Sequence, residues 1–338
     1  MKTILSPRRD HYLARLSVFL ITAALIVVMG GCLFPPSSQD LEIRDWYGLD
    51  AIRNNLSGHH ILMNDLDSTT AGYEELASPT ANEGMGWQPI IGTGDDPFTG
   101  TFDGQGYEIC DLFINRPDED FIGLFGSVNE GGRIEDIGVV NADVTGNSGV
   151  GGLVGANAGI VSNSYSTGSM TGVGWVGGLV AGNAGTVSNS YSTGNVTGDY
   201  GVGGLVALND EGGTVSNSYS SADVTGEEGV GGLVAFNDAV GTVSNSYSTG
   251  GVSGNDDVGG LVGYSEGTVN NSFWDIQTSG QSTSAGGTGK NTTEMQDIAT
   301  FSGAAWDITG VAPGETDPDY TWNIAVDGQT YPFLSWQS

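Results

Sequence analysis

The chain has 338 residues, of which 57 are Gly and 10 Pro, and only 14% are charged. No Gly-X-Y period runs through it, which excludes collagen, and Val, Ile, Leu and aromatic residues suffice to bury a core. Nine Lys and Arg stand against 40 Asp and Glu, a formal charge of −31 that repels nucleic acid and acidic polysaccharide.

Residues 1–31 read as an export signal of the lipoprotein type. Lys2, Arg8, Arg9 and Arg15 form a basic start, and Ser17 to Met29 is an apolar run short for a membrane span. The segment Met29-Gly30-Gly31-Cys32 resembles the lipobox of bacterial lipoproteins. That resemblance implies cleavage before Cys32, acylation of its sulfur and a membrane anchor on the extracytoplasmic side; an uncleaved signal anchor is the other reading. Cleavage removes four basic residues and Asp10, leaving 5 bases against 39 acids, a net charge of −34. Residues 32–40, with Pro35-Pro36-Ser37-Ser38, then form a solvated tether. Cys110 is left without a disulfide partner and reads as a small residue packed near the core.

Residues 41–100 read as an N-terminal capping region. Asp45 is placed to cap a helix carrying Leu49, Ile52 and Leu56 on one face and ended by Gly58, ahead of a strand at Ile61-Leu62-Met63. His59 and His60 are adjacent and so point to opposite faces of any strand, a poor start for a metal site.

Residues 101–276 are repetitive. Gly-Gly-Leu-Val begins at Gly151, Gly177, Gly203, Gly231 and Gly259, at spacings of 26, 26, 28 and 28 residues. Asn-Ser-Tyr keeps pace at Asn163, Asn189, Asn217 and Asn245 and closes as Asn271-Ser272-Phe273. Each unit holds three β-prone pieces, for example Val202 to Ala207, Thr214 to Ser220 and Asp223 to Thr225, with Gly-Gly-Leu-Val marking one strand. This predicts an all-β fold, a right-handed parallel β-helix of roughly six to seven coils, each coil about 4.8 Å above the last. Propeller blades need about 40–45 residues, and the nine-residue period of calcium-binding β-rolls is absent.

Gly123-Leu124-Phe125-Gly126 and Gly152-Leu153-Val154-Gly155 resemble the GLUG motif, whose last Gly is relaxed here to Ala181, Ala207 and Ala235. Gly86-Trp87-Gln88-Pro89-Ile90 and Phe98 to Gly104 are similar to the lead-in of GLUG-repeat surface proteins. The resemblance extends over residues 41–336 and implies a surface protein. It does not select an activity, since such repeats accompany adhesins, filamentous-haemagglutinin-like proteins and immunoglobulin A peptidases.

In Ile134-Glu135-Asp136-Ile137-Gly138-Val139 the apolar spacing changes from three to two, which places a corner near Asp136. Asn163, Asn189, Asn217, Asn245 and Asn271 align with it and are expected as left-handed corners whose amides bond from coil to coil. The same reasoning covers Asn157, Asn183, Asn209 and Asn237. Tyr165, Tyr191, Tyr219, Tyr247 and Phe273 are expected to form an outward column. It either grips sugars or a surface protein, or merely stacks on itself to stiffen the helix.

Residues 277–338 read as a C-terminal capping region. Asn291-Thr292-Thr293-Glu294 resembles a capping box opening a helix with Met295 and Ile298 on one side, followed by aromatic pieces around Trp306, Trp322 and Tyr331 to Trp336.

Chemistry is sparse. No His-Glu-x-x-His or Gly-x-Ser-x-Gly occurs, and Gly172 to Gly177 matches a dinucleotide fingerprint with no helix behind it. Arg116, Arg133 and Lys290 are too scattered for a lyase acting on acidic sugars. The corner acids Asp199, Glu227, Glu228, Asp256 and Asp257 are candidates for a glycoside hydrolase pair or for weak calcium ligation, and more simply for soluble turns. The expected function is that of a monomeric, lipid-anchored surface protein, adhesin-like, without catalysis and without a cofactor other than calcium. A carbohydrate-active β-helix enzyme is the alternative.

Overall fold

The computed structural model describes residues 40–91 and 96–337. The signal at 1–31, Cys32 and the tether up to residue 39 lie outside the described residues. The described chain is a parallel β-helix of three faces, with a small separate sheet near its C-terminus. Face A stacks nine short strands from Leu41–Ile43 to Thr268–Asn270, and face C stacks six from Phe125–Val128 to Val262–Ser265. Face B lies between them and holds the longest strands, such as Gly138–Gly151 and Tyr165–Thr171.

One coil shows the path. Thr186–Ser188 lies on face A, Tyr191–Thr197 and Tyr200–Gly203 share face B, and Val206–Asn209 lies on face C. Four strands therefore form a coil where three pieces were expected. The expected pieces Val202 to Ala207 and Thr214 to Ser220 each break at a corner. Gly-Gly-Leu-Val marks a corner, not one strand: Gly203 ends face B, Leu205 points into the core at 0% exposure, and Val206 opens face C. A Cβ on Gly204 would stand 2.1 Å from the Gly232 carbonyl oxygen of the next coil, so only Gly lets the coils approach here. The leucines bond in series, with the Leu179 amide donating to the Leu205 carbonyl at 3.0 Å and the Leu205 amide to that of Leu233 at 2.9 Å.

Inside, like stacks on like in strict register, Val180 on Val206 and Val187 on Val215, each fully buried. A second apolar cluster sits outside the coil between faces B and C. Trp175 packs edge-on against Tyr200 at 5.0 Å and Phe236 at 5.2 Å. Trp175 takes a left-handed φ of 52°, and its side chain fills the space that Gly201 leaves open one coil on, where a Cβ would lie 2.6 Å from the indole. The fingerprint-like Gly172 to Gly177 thus contains a paired strand, Gly174–Gly177, and no helix.

Residues 41–100 do more than cover an end, because Leu41–Ile43 and His59–Leu62 continue face A. Asp45 caps the helix Trp46–Asp50 by accepting from the Gly48 amide at 2.7 Å, and a 3-10 turn follows at Ala51–Asn54. The strand begins at His59 instead of Ile61. His60 is fully buried and bonded to the Asn55 carbonyl, whereas His59 faces Asp40 in solvent. At the other end the capping box Asn291/Glu294 is present, but Asp297 caps a second helix, Ile298–Ser302, so Met295 and Ile298 belong to two helices. Residues 276–290 close the last coil: the Gly260 amide donates to the Thr283 carbonyl and the Ala285 amide to that of Val262.

The corner from face C to face A carries the buried Asp210, 6% exposed. Burial, reinforced by Glu211 and Asp238, pushes its carboxyl from 3.8 up to about 7. The folded chain therefore holds this proton more tightly than the unfolded chain. The stability it contributes is complete below pH 3.8 and is lost as pH rises through about 7. Asp210→Asn is expected to match wild type at about pH 3.5 and exceed it by about 1–3 kcal/mol at pH 8 in paired urea titrations. Equal stability at both pH values would contradict this.

Candidate functional site

The Asn-Ser-Tyr triplet turns the chain from face A to face B. Asp136, Asn163, Asn189, Asn217, Asn245 and Asn271 all sit at φ between 46° and 55°, the left-handed region in which Asn and Asp are the least costly non-glycine residues. Of this series, the side-chain bond found is Asn163 Nδ2 to Asp136 Oδ1 at 2.9 Å. The continuous amide ladder runs through the other series. Asn157 donates to Asn183, Asn183 to Asn209 and Asn209 to Asn237, each at 2.8 Å, and Asn237 donates to Ser265 Oγ at 3.1 Å. These four are at most 1% exposed, where an unpaired amide is costly, while the corner residues Asn163, Asn189, Asn217 and Asn245 are partly buried and Asn271 is exposed. A third series went unread in the sequence. Ser164, Ser190, Ser218 and Ser246 each donate Oγ to the carbonyl two residues back at 2.7 Å and accept, where the series continues, from the neighbouring coil's amide.

Beside these serines the tyrosines stack nearly parallel. Tyr165 to Tyr191 measures 4.7 Å, Tyr191 to Tyr219 4.9 Å, and Tyr219 to Tyr247 5.0 Å. The column is not the open stripe expected, because residues 291–337 fold back along it. Met295, Phe301, Trp306, Ile308, Trp322, Ile324 and Leu334 form one core with Tyr247 and Phe273, which are 2% and 6% exposed. Trp306 Nε1 donates to the Asn271 carbonyl at 2.7 Å, Trp336 Nε1 to that of Asn189 at 3.1 Å, and Gln337 Nε2 to the Tyr219 hydroxyl at 2.8 Å. The C-terminal region is thus a lateral cover on the column. Burial raises the Tyr165, Tyr219 and Tyr247 hydroxyls well above the usual phenol range, so the column is neutral.

The cover stops at Trp336, whose ring lies 6.1 Å from Tyr165 and 5.8 Å from Tyr191. Beyond it a cleft of about 700 Å³ opens, lined by Asp103, Glu108, Asp136, Asn163, Tyr165 and Trp336 among others. Its cause is a break in the column. Gly138 pairs with Tyr165 on one side and Glu108 on the other, so one coil has no side chain there. The Tyr165 ring leans into that space, where a Cβ on Gly138 would lie 2.4 Å from Cζ, and its hydroxyl reaches the Glu108 carboxylate. Cys110 flanks Glu108, half-buried, and burial with the neighbouring acids pushes its thiol up to about 12, which keeps it protonated at neutral pH.

The corner acids lie elsewhere. Glu228 pairs with Asp256 in register, Asp199 and Glu227 stack at the preceding position, and Asp257 falls one step after Asp256. None lines the cleft. Among the described residues no group of three or more His, Cys, Asp or Glu is spaced to hold a metal ion. Arg116 and Arg133 pair with Glu119 and Glu135 at 2.9 Å, and Lys290 approaches Glu294 at 3.5 Å. Among the described residues no helix is long and apolar enough to cross a membrane.

Fold and cleft together define a repeat-built β-helical scaffold with a lined recess beside the tyrosine column. Residues 198–225, one turn of the repeat, match the family model of the GLUG motif, as the Gly-Leu-x-Gly pattern led us to expect. The chain is 33% identical over 132 residues, 38% of its length, to halomucin of Haloquadratum walsbyi. It is 37% identical over 120 residues, 34% of its length, to an Evansella cellulosilytica protein provisionally named a Gly-rich membrane protein. The matches span 1% and 13% of those two relatives. A Bacteroides ovatus crystal structure, provisionally described as an immunoglobulin A1 protease, shares the fold with a TM-score of 0.63. That likeness covers 90% of this chain and 94% of that one at 22% identity.

Proposed function

We propose that the chain is an exported, lipid-anchored, monomeric β-helical surface protein that acts by binding, in the manner of an adhesin, and carries out no catalysis. The observation that carries this reading is the fate of the repeated groups. The amide, serine and tyrosine columns are consumed in holding coils and cover together, and the cleft beside Trp336 is an aromatic-lined recess open to a partner. A repeat relative named as a membrane protein and another named halomucin support a place at the cell surface. The hydrolase alternative relied on corner acids that stand apart from that recess.

The anchor is tested by Cys32→Ser. Mass spectrometry of the membrane fraction is expected to find a mature N-terminus at an acylated Cys32 in wild type, and the variant is expected in the medium or with an unprocessed signal. A native N-terminus ahead of residue 32 would overturn the anchor. Adhesion is tested by comparing cells with and without the protein for attachment to glycan-coated and protein-coated surfaces; unchanged attachment would count against the binding role.

A further inference from the structure

We infer that the cleft between Trp336 and the broken end of the tyrosine column is a binding site for a neutral oligosaccharide. This rests on the binding role proposed above and gives it a ligand class and a location. The recess is of the size that takes a small-molecule ligand, and it pairs aromatic surface with planar hydrogen-bonding groups. Tyr165 and Trp336 supply ring surface for the C–H faces of sugar rings, with the edge of the stacked Tyr191 beside them. Glu108, Asp136 and Asn163 supply acceptors and an amide suited to adjacent hydroxyl groups, and charged acceptors make the stronger bonds.

The site is held in place from two sides. Asn163 Nδ2 fixes the Asp136 carboxylate, and the Tyr165 hydroxyl fixes that of Glu108. Trp336 is anchored by its bond to the Asn189 carbonyl. A smaller recess of about 350 Å³ on the other side of Trp336 shares Asn163 with the cleft, so the binding surface continues past the indole and suits a ligand of more than one ring. Charge selects the ligand class. No Lys or Arg lines either recess, and the chain carries −31 overall, so uronate, sulfate and phosphate groups are repelled.

Position 136 also provides a clean test. The five later coils carry Asn at this left-handed corner, so Asp136→Asn installs a residue that the fold already uses there. Wild type and the Asp136→Asn/Glu108→Gln double variant would be titrated calorimetrically with neutral gluco-, manno- and galacto-oligosaccharides and with their uronate and sulfated counterparts. Saturable binding of a neutral oligosaccharide is expected, weakened about tenfold or more in the double variant at unchanged melting temperature, with the anionic counterparts weaker still. A double variant that melts early would be replaced by Asp136→Asn alone, whose binding is expected to weaken in the same sense. Absence of neutral-sugar binding, equal binding by wild type and variant, or preference for the anionic sugars would overturn the inference. If cells still adhere while no sugar binds, the inference fails and the binding role stands; if sugar binds but adhesion does not depend on the protein, the reverse holds.

Discussion

Asn209→Ala is expected to lower the stability of the β-helix by about 2–5 kcal/mol, read as a shift in the urea midpoint at unchanged slope. Asn209 is fully buried. Its amide donates to Asn237 Oδ1 at 2.8 Å and to the Gly213 carbonyl at 3.0 Å, and its oxygen accepts from Asn183 at 2.8 Å. Alanine removes these bonds, together with a longer one to the Thr242 carbonyl at 3.4 Å, and leaves polar atoms on the coils above and below without their closest partners, at about 1–3 kcal/mol for each group stranded. The loss is local in origin, because a solenoid coil touches mainly its neighbours, yet it falls mid-stack where no frayed end absorbs it. Asn217→Ala is the contrast. It removes a left-handed corner residue that is only half-buried, so backbone strain of about 1 kcal/mol is the main cost. If Asn209→Ala proves as mild as a surface substitution, the buried amide series is not what holds the coils together.

The second large effect concerns the cover. Trp322→Ala is expected to cost about 3–5 kcal/mol, the range for emptying a buried aromatic site. Trp322 is fully buried among Tyr219 at 6.2 Å, Tyr247 at 5.7 Å and Trp306 at 4.9 Å. That core is separate from the valine and leucine interior of the coils, so the damage should be confined to residues 291–337. Limited proteolysis of the variant is expected to remove the C-terminal segment while the β-sheet circular dichroism of the coils persists. Because Trp336 goes with that segment, sugar binding should fall as well. Cooperative loss of the whole β-sheet signal would show instead that the cover is required for the coils to fold.

The coil was legible because a β-helix writes its geometry into a period. Identical residues recur wherever identical backbone recurs, so Gly-Gly-Leu and Asn-Ser-Tyr disclose corners, and the residues between them disclose faces. Misreading Gly203 to Val206 as one strand came from treating a β-prone run as straight, when Gly204 is there to let the chain bend against the next coil's carbonyl. Both asparagine series recur in step and both carry the same expectation of bonding from coil to coil, but only the fully buried series forms the continuous ladder. The tyrosine column was visible, but its cover was not. Trp336 reaches Asn189 across 147 residues, and nothing periodic announces that contact. The cleft was likewise hidden, since it arises where the pattern lapses: Gly138 stands where later coils have Tyr, and a missing side chain draws attention only once its neighbours are located. The corner acids attracted notice because charge is conspicuous in a sequence, although they lie away from the cleft.

Binding without turnover is tested most directly by incubating wild-type protein with the neutral oligosaccharide it retains and then analysing the sugar by mass spectrometry. Recovery of the intact oligosaccharide, bound at saturation and released unchanged on denaturation, is the predicted result. Shortened products or new reducing ends, lost in the Asp136→Asn/Glu108→Gln variant, would make the cleft an active site and contradict it.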